Sequence, residues 1–136
     1  MISILEVQQA IWDKLNSSEY TVVDYIEFNT IEPPYIRMGD LYVDDDSIKN
    51  KEGLRCEQYI NVYSTYKGKK EVLDIIDDVN ELMMNLEIEG HKTYVVRGTQ
   101  HILQDTDRKT IFTNRDSQVK FYHALLKYEI YIEGVE

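Results

Sequence analysis

From Ala124 onward the chain alternates strictly. Ala124, Leu126, Tyr128, Ile130 and Ile132 take one set of positions, and Leu125, Lys127, Glu129, Tyr131 and Glu133 take the other. Successive side chains of a strand point to opposite faces, so the pattern sets one face against a core and leaves the other to water or a partner. The stretch Leu54 to Tyr66 repeats it, with Ile60 and Val62 alternating with Tyr59, Asn61, Tyr63 and Thr65. Half-buried strands argue against helices on both faces of the sheet, because strands covered on both sides read as continuous apolar runs.

The cover on the one face is also written in the chain. Val72, Ile75, Ile76, Val79, Leu82 and Met83 recur at helical spacing with Asp74, Asp77, Asp78 and Glu81 opposite, which predicts a helix laying an apolar stripe on the sheet. A first helix is predicted from the capping box Ser3-Ile-Leu-Glu6: the serine oxygen accepts from the Glu6 amide, and Glu6 reaches back to the cap. Ile4, Val7, Ile11 and Leu15 make its apolar face, Ile2 staples onto Val7, Trp12 joins the core or its flank, and Asn16-Ser-Ser ends it. Tyr20 to Phe28 reads as a short extended segment, and Pro33-Pro34 excludes helix around it. Tyr35 to Val43 is then a strand, with Ile36 and Met38 on one face, Tyr35, Arg37 and Leu41 on the other, and Gly39 marking a bulge. A polar stretch from Asp44 to Gly53 turns it into the Leu54 to Tyr66 strand as a hairpin. Gly90 opens a strand around Thr93 to Leu103, and a polar connection from Gln104 to Gln118 leads to the last strand. Helix, strands, helix, strands, without regular βαβ alternation, predicts an α+β fold: a mostly antiparallel sheet with two helices packed on one face and long loops at the rim. A length of 136 residues fits a single domain, 1–136.

Familiar chemistries fail on spacing. An EF-hand begun at Asp44 meets Ile48 where an oxygen ligand belongs, Lys49 in place of glycine and Arg55 in place of the bidentate glutamate. Asp105-Thr-Asp107 fails similarly at Lys109 and Thr110. His91, His101 and His123 have no nucleophile elbow or metalloprotease helix around them, and the six glycines stand alone, so no phosphate cradle exists. Cys56, the lone cysteine, reads as a half-buried residue entering a strand. No catalytic, cofactor-binding or metal residue is expected, and no cofactor. No apolar run is long enough to span a bilayer and no signal-peptide pattern opens the chain, which favours an intracellular product without a membrane partner.

What stands out is surface chemistry. Eleven tyrosines include Tyr20, Tyr25, Tyr35, Tyr42, Tyr59, Tyr63 and Tyr66, and tyrosine suits interfaces because it buries area while keeping a polar handle. Tyr59, Tyr63 and Tyr66 form the candidate contact face. The net charge of −10 opposes binding to nucleic acid phosphates. Ten acids fall in residues 1 to 46, including Asp44, Asp45 and Asp46, whereas Arg108, Lys109, Arg115 and Lys120 crowd residues 108 to 120. Opposite charge of this kind sets register between copies, or else marks two independently solvated faces.

The element order resembles the tail completion or tail terminator proteins of long-tailed bacteriophages and prophage elements. The likeness runs through "ILEVQQAIWDKLNS", "PPYIRMGD", "EQYINVYSTYKGKKEVLDIIDDVNELMMNLEIEG", "YVVRGTQHILQDTDRKT" and "VKFYHALLKYEIYIEG". It implies a structural virion protein at the head–tail interface, made in the host bacterial cytoplasm, and not an enzyme. As such a protein it would form a homo-oligomeric ring, commonly a hexamer, at the head-proximal end of the tail tube, end tube polymerisation and join the tail to the neck. The implied partners are the tail tube protein, a neck or connector protein and the tail sheath, with DNA passing through unbound. A neck or connector subunit, a small cytoplasmic ligand-binding domain and a monomeric adaptor or DNA mimic remain as alternatives. The segment from Asp105 to Gln118 is expected to cross a protomer boundary, since long connections of this kind are often functional.

Overall fold

The structure, a computed structural model, describes residues 2–24, 33–65, 68–107 and 119–134, with the side chains of 105–107 and 119–121 left aside. Helix α1 spans Ile4–Asn16. The Ser3 hydroxyl caps it, accepting from the Glu6 amide at 3.4 Å. Val7, Ile11 and Leu15 are fully buried and Ile2 nearly so, but Ile4, expected on the same apolar face, is 53% exposed. Helical side chains lean toward the N-terminus, so a residue in the first position leans off the end of the helix, and Ile2 occupies that end of the core instead.

Strand β1 (Val22–Val23) is short and pairs parallel with Ile36 and Arg37 of β2 (Tyr35–Asp45). Most of the extended segment expected from Tyr20 to Phe28 lies outside the described residues. The predicted hairpin is present: β2 runs antiparallel to β3 (Gly53–Ser64). The predicted bulge is present too, because Met38 pairs with Ile60 and Leu41 with Gln58, so three steps on β2 match two on β3. That extra residue corrects the expectation for Leu41. The bulge returns it to the Met38 face, and both Leu41 and Val43 pack against the core. Asp44 and Asp45 belong to β2 rather than to the turn, which is closed by the Ile48 and Lys51 bridge.

Helix α2 (Lys70–Met84) buries Val72, Ile75, Ile76, Val79 and Met83 and exposes its four predicted acids. Gly90, at φ 81°, turns the chain into β4 (His91–Asp107), which pairs antiparallel with β5 (Val119–Gly134). The strand continues past its predicted end at Leu103. Gln104 to Asp107 pair with Tyr122 to Val119, because ladder bonds use the backbone and need no apolar side chains. The sheet order is β1-β2-β3-β5-β4, antiparallel except at β1. Both helices share one apolar cluster with a single face of this sheet, including Ile60, Val62, Ala124, Leu126, Tyr128 and Ile130. Cys56 lies in that cluster fully buried, where a half-buried place was expected, because it sits on the core side of a central strand. Burial pushes its thiol up to about 11.

Candidate interaction face

The face that neither helix covers divides into two halves. At one end, register places Tyr35, Tyr63 and His123 side by side across β2, β3 and β5. The tyrosine rings stack at 4.8 Å, and Tyr63 lies nearly parallel to His123 at 4.5 Å. In the next row His123 Nε2 donates to Asn61 Oδ1 at 2.8 Å. Tyr35 is 5% exposed, and burial pushes its hydroxyl up to about 12; burial raises Tyr63 as well. These rings are committed to one another, so the most exposed tyrosines of the face lie elsewhere.

They lie at the other end. Tyr94 is 59% exposed and stacks on Tyr131 at 4.9 Å, while Tyr42 is 54% exposed and meets Tyr59 edge-on at 5.9 Å. Between them runs a charged network. One Arg55 nitrogen lies 2.9 Å from Glu57 and 3.0 Å from Glu129, the other lies 3.5 Å from Asp44, and Lys127 lies 3.6 Å from Glu57. The Tyr131 hydroxyl first, then Glu57, hold the Arg55 guanidinium still more firmly protonated. Three carboxylates face two cations here, and several groups coupled together hold their geometry better than an isolated surface pair.

A crease separates the halves. The β4–β5 ladder shifts between Arg97 and Gln100, as the β2–β3 ladder shifts between Met38 and Leu41. Both irregularities flank one paired row, Tyr59 and Lys127. Space for a side chain is tight on each side. A Cβ at Gly39 would meet Asn61 Nδ2 at 2.9 Å and the Tyr59 carbonyl at 3.0 Å, and one at Gly98 would meet the Lys127 carbonyl at 3.1 Å. From the core side, Gln58, 1% exposed, donates to the carbonyls of Gly39 at 3.2 Å, Asp40 at 3.3 Å and Tyr59 at 2.7 Å. Beside the second bulge, Gln100 donates to Asn80 of α2 and, at 3.3 Å, to the Tyr128 hydroxyl. Sequence reasoning missed Gln58 and Gly98. An isolated glycine inside a strand pattern signals a bulge, which would have found the second; nothing local marks a buried glutamine.

Of the sequence-predicted site residues, Tyr59 and Tyr63 share the open face, Tyr59 in the crease itself and Tyr63 to one side of it. Asp44, Asp45 and Asp46 do not converge. Asp44 joins the Arg55 network, the Ser47 hydroxyl first and then its amide, 2.9 Å away, lower the pKa of Asp45, and the Asp46 amide donates to the Gly53 carbonyl. Tyr66, Arg108, Lys109 and Arg115 lie outside the described residues. Among the described residues no group of three or more His, Cys, Asp or Glu could hold a metal. A cleft of about 930 Å³ between α1 and residues 85–89 is lined by Glu6, Asp13, Lys14, Glu87 and Glu89, and no histidine, cysteine or tyrosine lines it. No helix among the described residues is long and apolar enough to cross a membrane.

Comparison with known proteins follows the same lines. A chain from the virion of a native gene transfer agent particle superposes with a TM-score of 0.70 at 15% identity, covering 94% of this chain and 95% of that one. A second solved chain, from the sheath/tube terminator of an extracellular contractile injection system in its extended state, has a TM-score of 0.49 at 14% identity. The match covers 93% of this chain and 56% of that one. No curated protein sequence matches. The sequence family described as tail completion protein gp17 matches residues 14–133, nearly the whole chain. The chain belongs to that family and is a structural protein of the phage tail.

Proposed function

We propose that the protein closes the head-proximal end of a phage tail as a ring, commonly of six copies, ending growth of the tail tube and presenting a surface to the neck or connector. The observation that carries this is the match to a tail completion family over residues 14–133. The uncovered aromatic and charged sheet face supports it, since a monomer has no evident use for Tyr42 and Tyr94 in the open. The role is assembly rather than catalysis. Its partners are further copies of itself, the tube protein, the neck or connector and the sheath, and the protein is made in the host bacterial cytoplasm before it joins the virion. Six copies would carry about sixty net negative charges, which repel DNA phosphates and keep a central passage free of sticking.

Light scattering with and without purified tube ends, followed by imaging, tests this. A multimer seated on the head-proximal end is expected. A monomer that ignores tubes would remove the reading, and rings found on the portal side alone would assign the chain to the connector. The basic stretch is proposed to cross the protomer boundary as well. Replacing Arg108, Lys109 and Arg115 together by glutamate should then weaken assembly by about tenfold or more, and unchanged assembly of the triple variant would dismiss that role.

A further inference from the structure

Among the described residues, and apart from the outer side of the two-residue β1, two strands have a side without a ladder partner. One is β4, which pairs only with β5, and the other is β2 beyond Arg37, where β1 stops. An unpaired edge is a template for another strand. Over the heights they share, which leave out Asp105 and Asp107 at the far end of β4, these two edges carry opposite charge. From His91 to Gln104, β4 contains Lys92 and Arg97, both exposed, and no acid. The β2 edge contains Asp40, Asp44 and Asp45, followed by Asp46, all exposed, against Arg37.

The heights agree too. Lys92 pairs with Glu133, Glu133 with Gly53, and the Gly53 carbonyl accepts from Asp46 at 2.9 Å. Lys92 on one edge therefore stands level with Asp46 on the other. Arg97 pairs with Tyr128, Tyr128 with Gln58, and Gln58 with Leu41, which puts Arg97 level with the bulge that holds Asp40. Because both bulges flank one row, the two edges also bend at a common height.

Strand sense completes the fit. Three successive antiparallel pairings make β4 run opposite to β2. Rotation about an axis along the strands preserves each strand's sense, so β4 of one copy meets β2 of the next antiparallel, the more stable pairing. A contact between two different edges is heterologous, and it closes into a ring when the rotation allows.

We propose that copies of this chain join edge to edge, β4 of one protomer adding antiparallel to the β2 edge of the next, with Lys92 and Arg97 facing the aspartates of that edge. This deepens the ring reading and rests on it for closure. Cysteine cross-linking tests it directly. Lys92→Cys copies are mixed with Tyr42→Cys, Asp44→Cys or Asp46→Cys copies, both in concentrated solution and on tube ends, and oxidised. The three partner positions lie on one face two residues apart, so the scan reads the stagger, and buried Cys56 stays out of the reaction. At least one mixture should cross-link about tenfold above the control pair Lys92→Cys with Asp77→Cys on α2, because a disulfide forms only where the Cα atoms come within about 7 Å.

The possible outcomes separate cleanly. Rings on tube ends without cross-links above the control would overturn the edge pairing and leave the ring reading standing. Cross-links in solution without rings on tubes would uphold the pairing and count against the ring reading. Absence of both rings and cross-links would overturn both readings. As a second measurement, Lys92→Glu with Arg97→Glu should lower self-association by about tenfold, and mixing with Asp40→Lys, Asp46→Lys copies should restore it. Loss without restoration would show that these charges do not set the contact.

Discussion

Gln58 fastens the outer face from beneath. Its side-chain amide serves the carbonyls of Gly39, Asp40 and Tyr59 in a place water does not reach. Buried acceptors left without donors cost about 1–3 kcal/mol, so Gln58→Leu, which keeps the volume and removes the donor, should lower unfolding free energy by about that amount. Urea unfolding reads the loss as a lower midpoint at unchanged slope; an unmoved midpoint would mean the bulge is held by its ladder alone. The tyrosines give a second prediction. Burial raises Tyr35 to about 12 and also raises Tyr63 and Tyr128. A pKa raised on folding gives stability that is fully present below the unfolded pKa of about 10 and is lost as pH rises through the folded value. Stability should therefore fall between about pH 10 and 12, with late tyrosinate absorbance appearing together with unfolding. Complete ionisation while the fold remained intact would contradict the burial of these rings.

At the scale of elements, helix α1 separates what periodicity can say from what it cannot. Ile4 and Ile11 lie seven residues apart on one predicted stripe, yet Ile11 is fully buried and Ile4 is 53% exposed. Ile11→Ala should cost about 2–5 kcal/mol, whereas Ile4→Ala should stay within about 0.5 kcal/mol; equal costs in thermal unfolding would restore Ile4 to the core. The contrast shows where the sequence is legible. The β5 alternation and the α2 stripe are repeated over many residues, and every position repeats the same instruction. The face of Leu41 depends on one extra residue opposite Tyr59, and a single-residue shift reverses every later side chain. The length of β4 likewise depends on its partner, since Gln104 carries no strand signal until Tyr122 lies beside it. Of the candidate site, Tyr59 and Tyr63 were legible from alternation. The crease through Tyr59 was only half legible: Gly39 marked one bulge, but the alignment of two bulges on strands with different partners is set by the sheet register.

Over the whole molecule, charge is layered. The helical side exposes Asp74, Asp77, Asp78 and Glu81 on α2 with Glu6 and Asp13 on α1, whereas the open sheet face mixes Arg55 and Lys127 with their carboxylate partners. Cations already paired within the chain have little left to offer a phosphate. The strongest case for DNA binding is then the basic stretch, where Arg108, Lys109, Arg115 and Lys120 could neutralise at most four phosphates. Four contacts imply a salt slope of about −3.6, too shallow to overcome a net charge of −10 at physiological salt. Duplex DNA titrated into the protein at about 0.15 M salt should leave fluorescence anisotropy unchanged. Micromolar binding that tightens steeply as salt falls would show cations gathered on one surface, and would count against the proposed passage free of sticking.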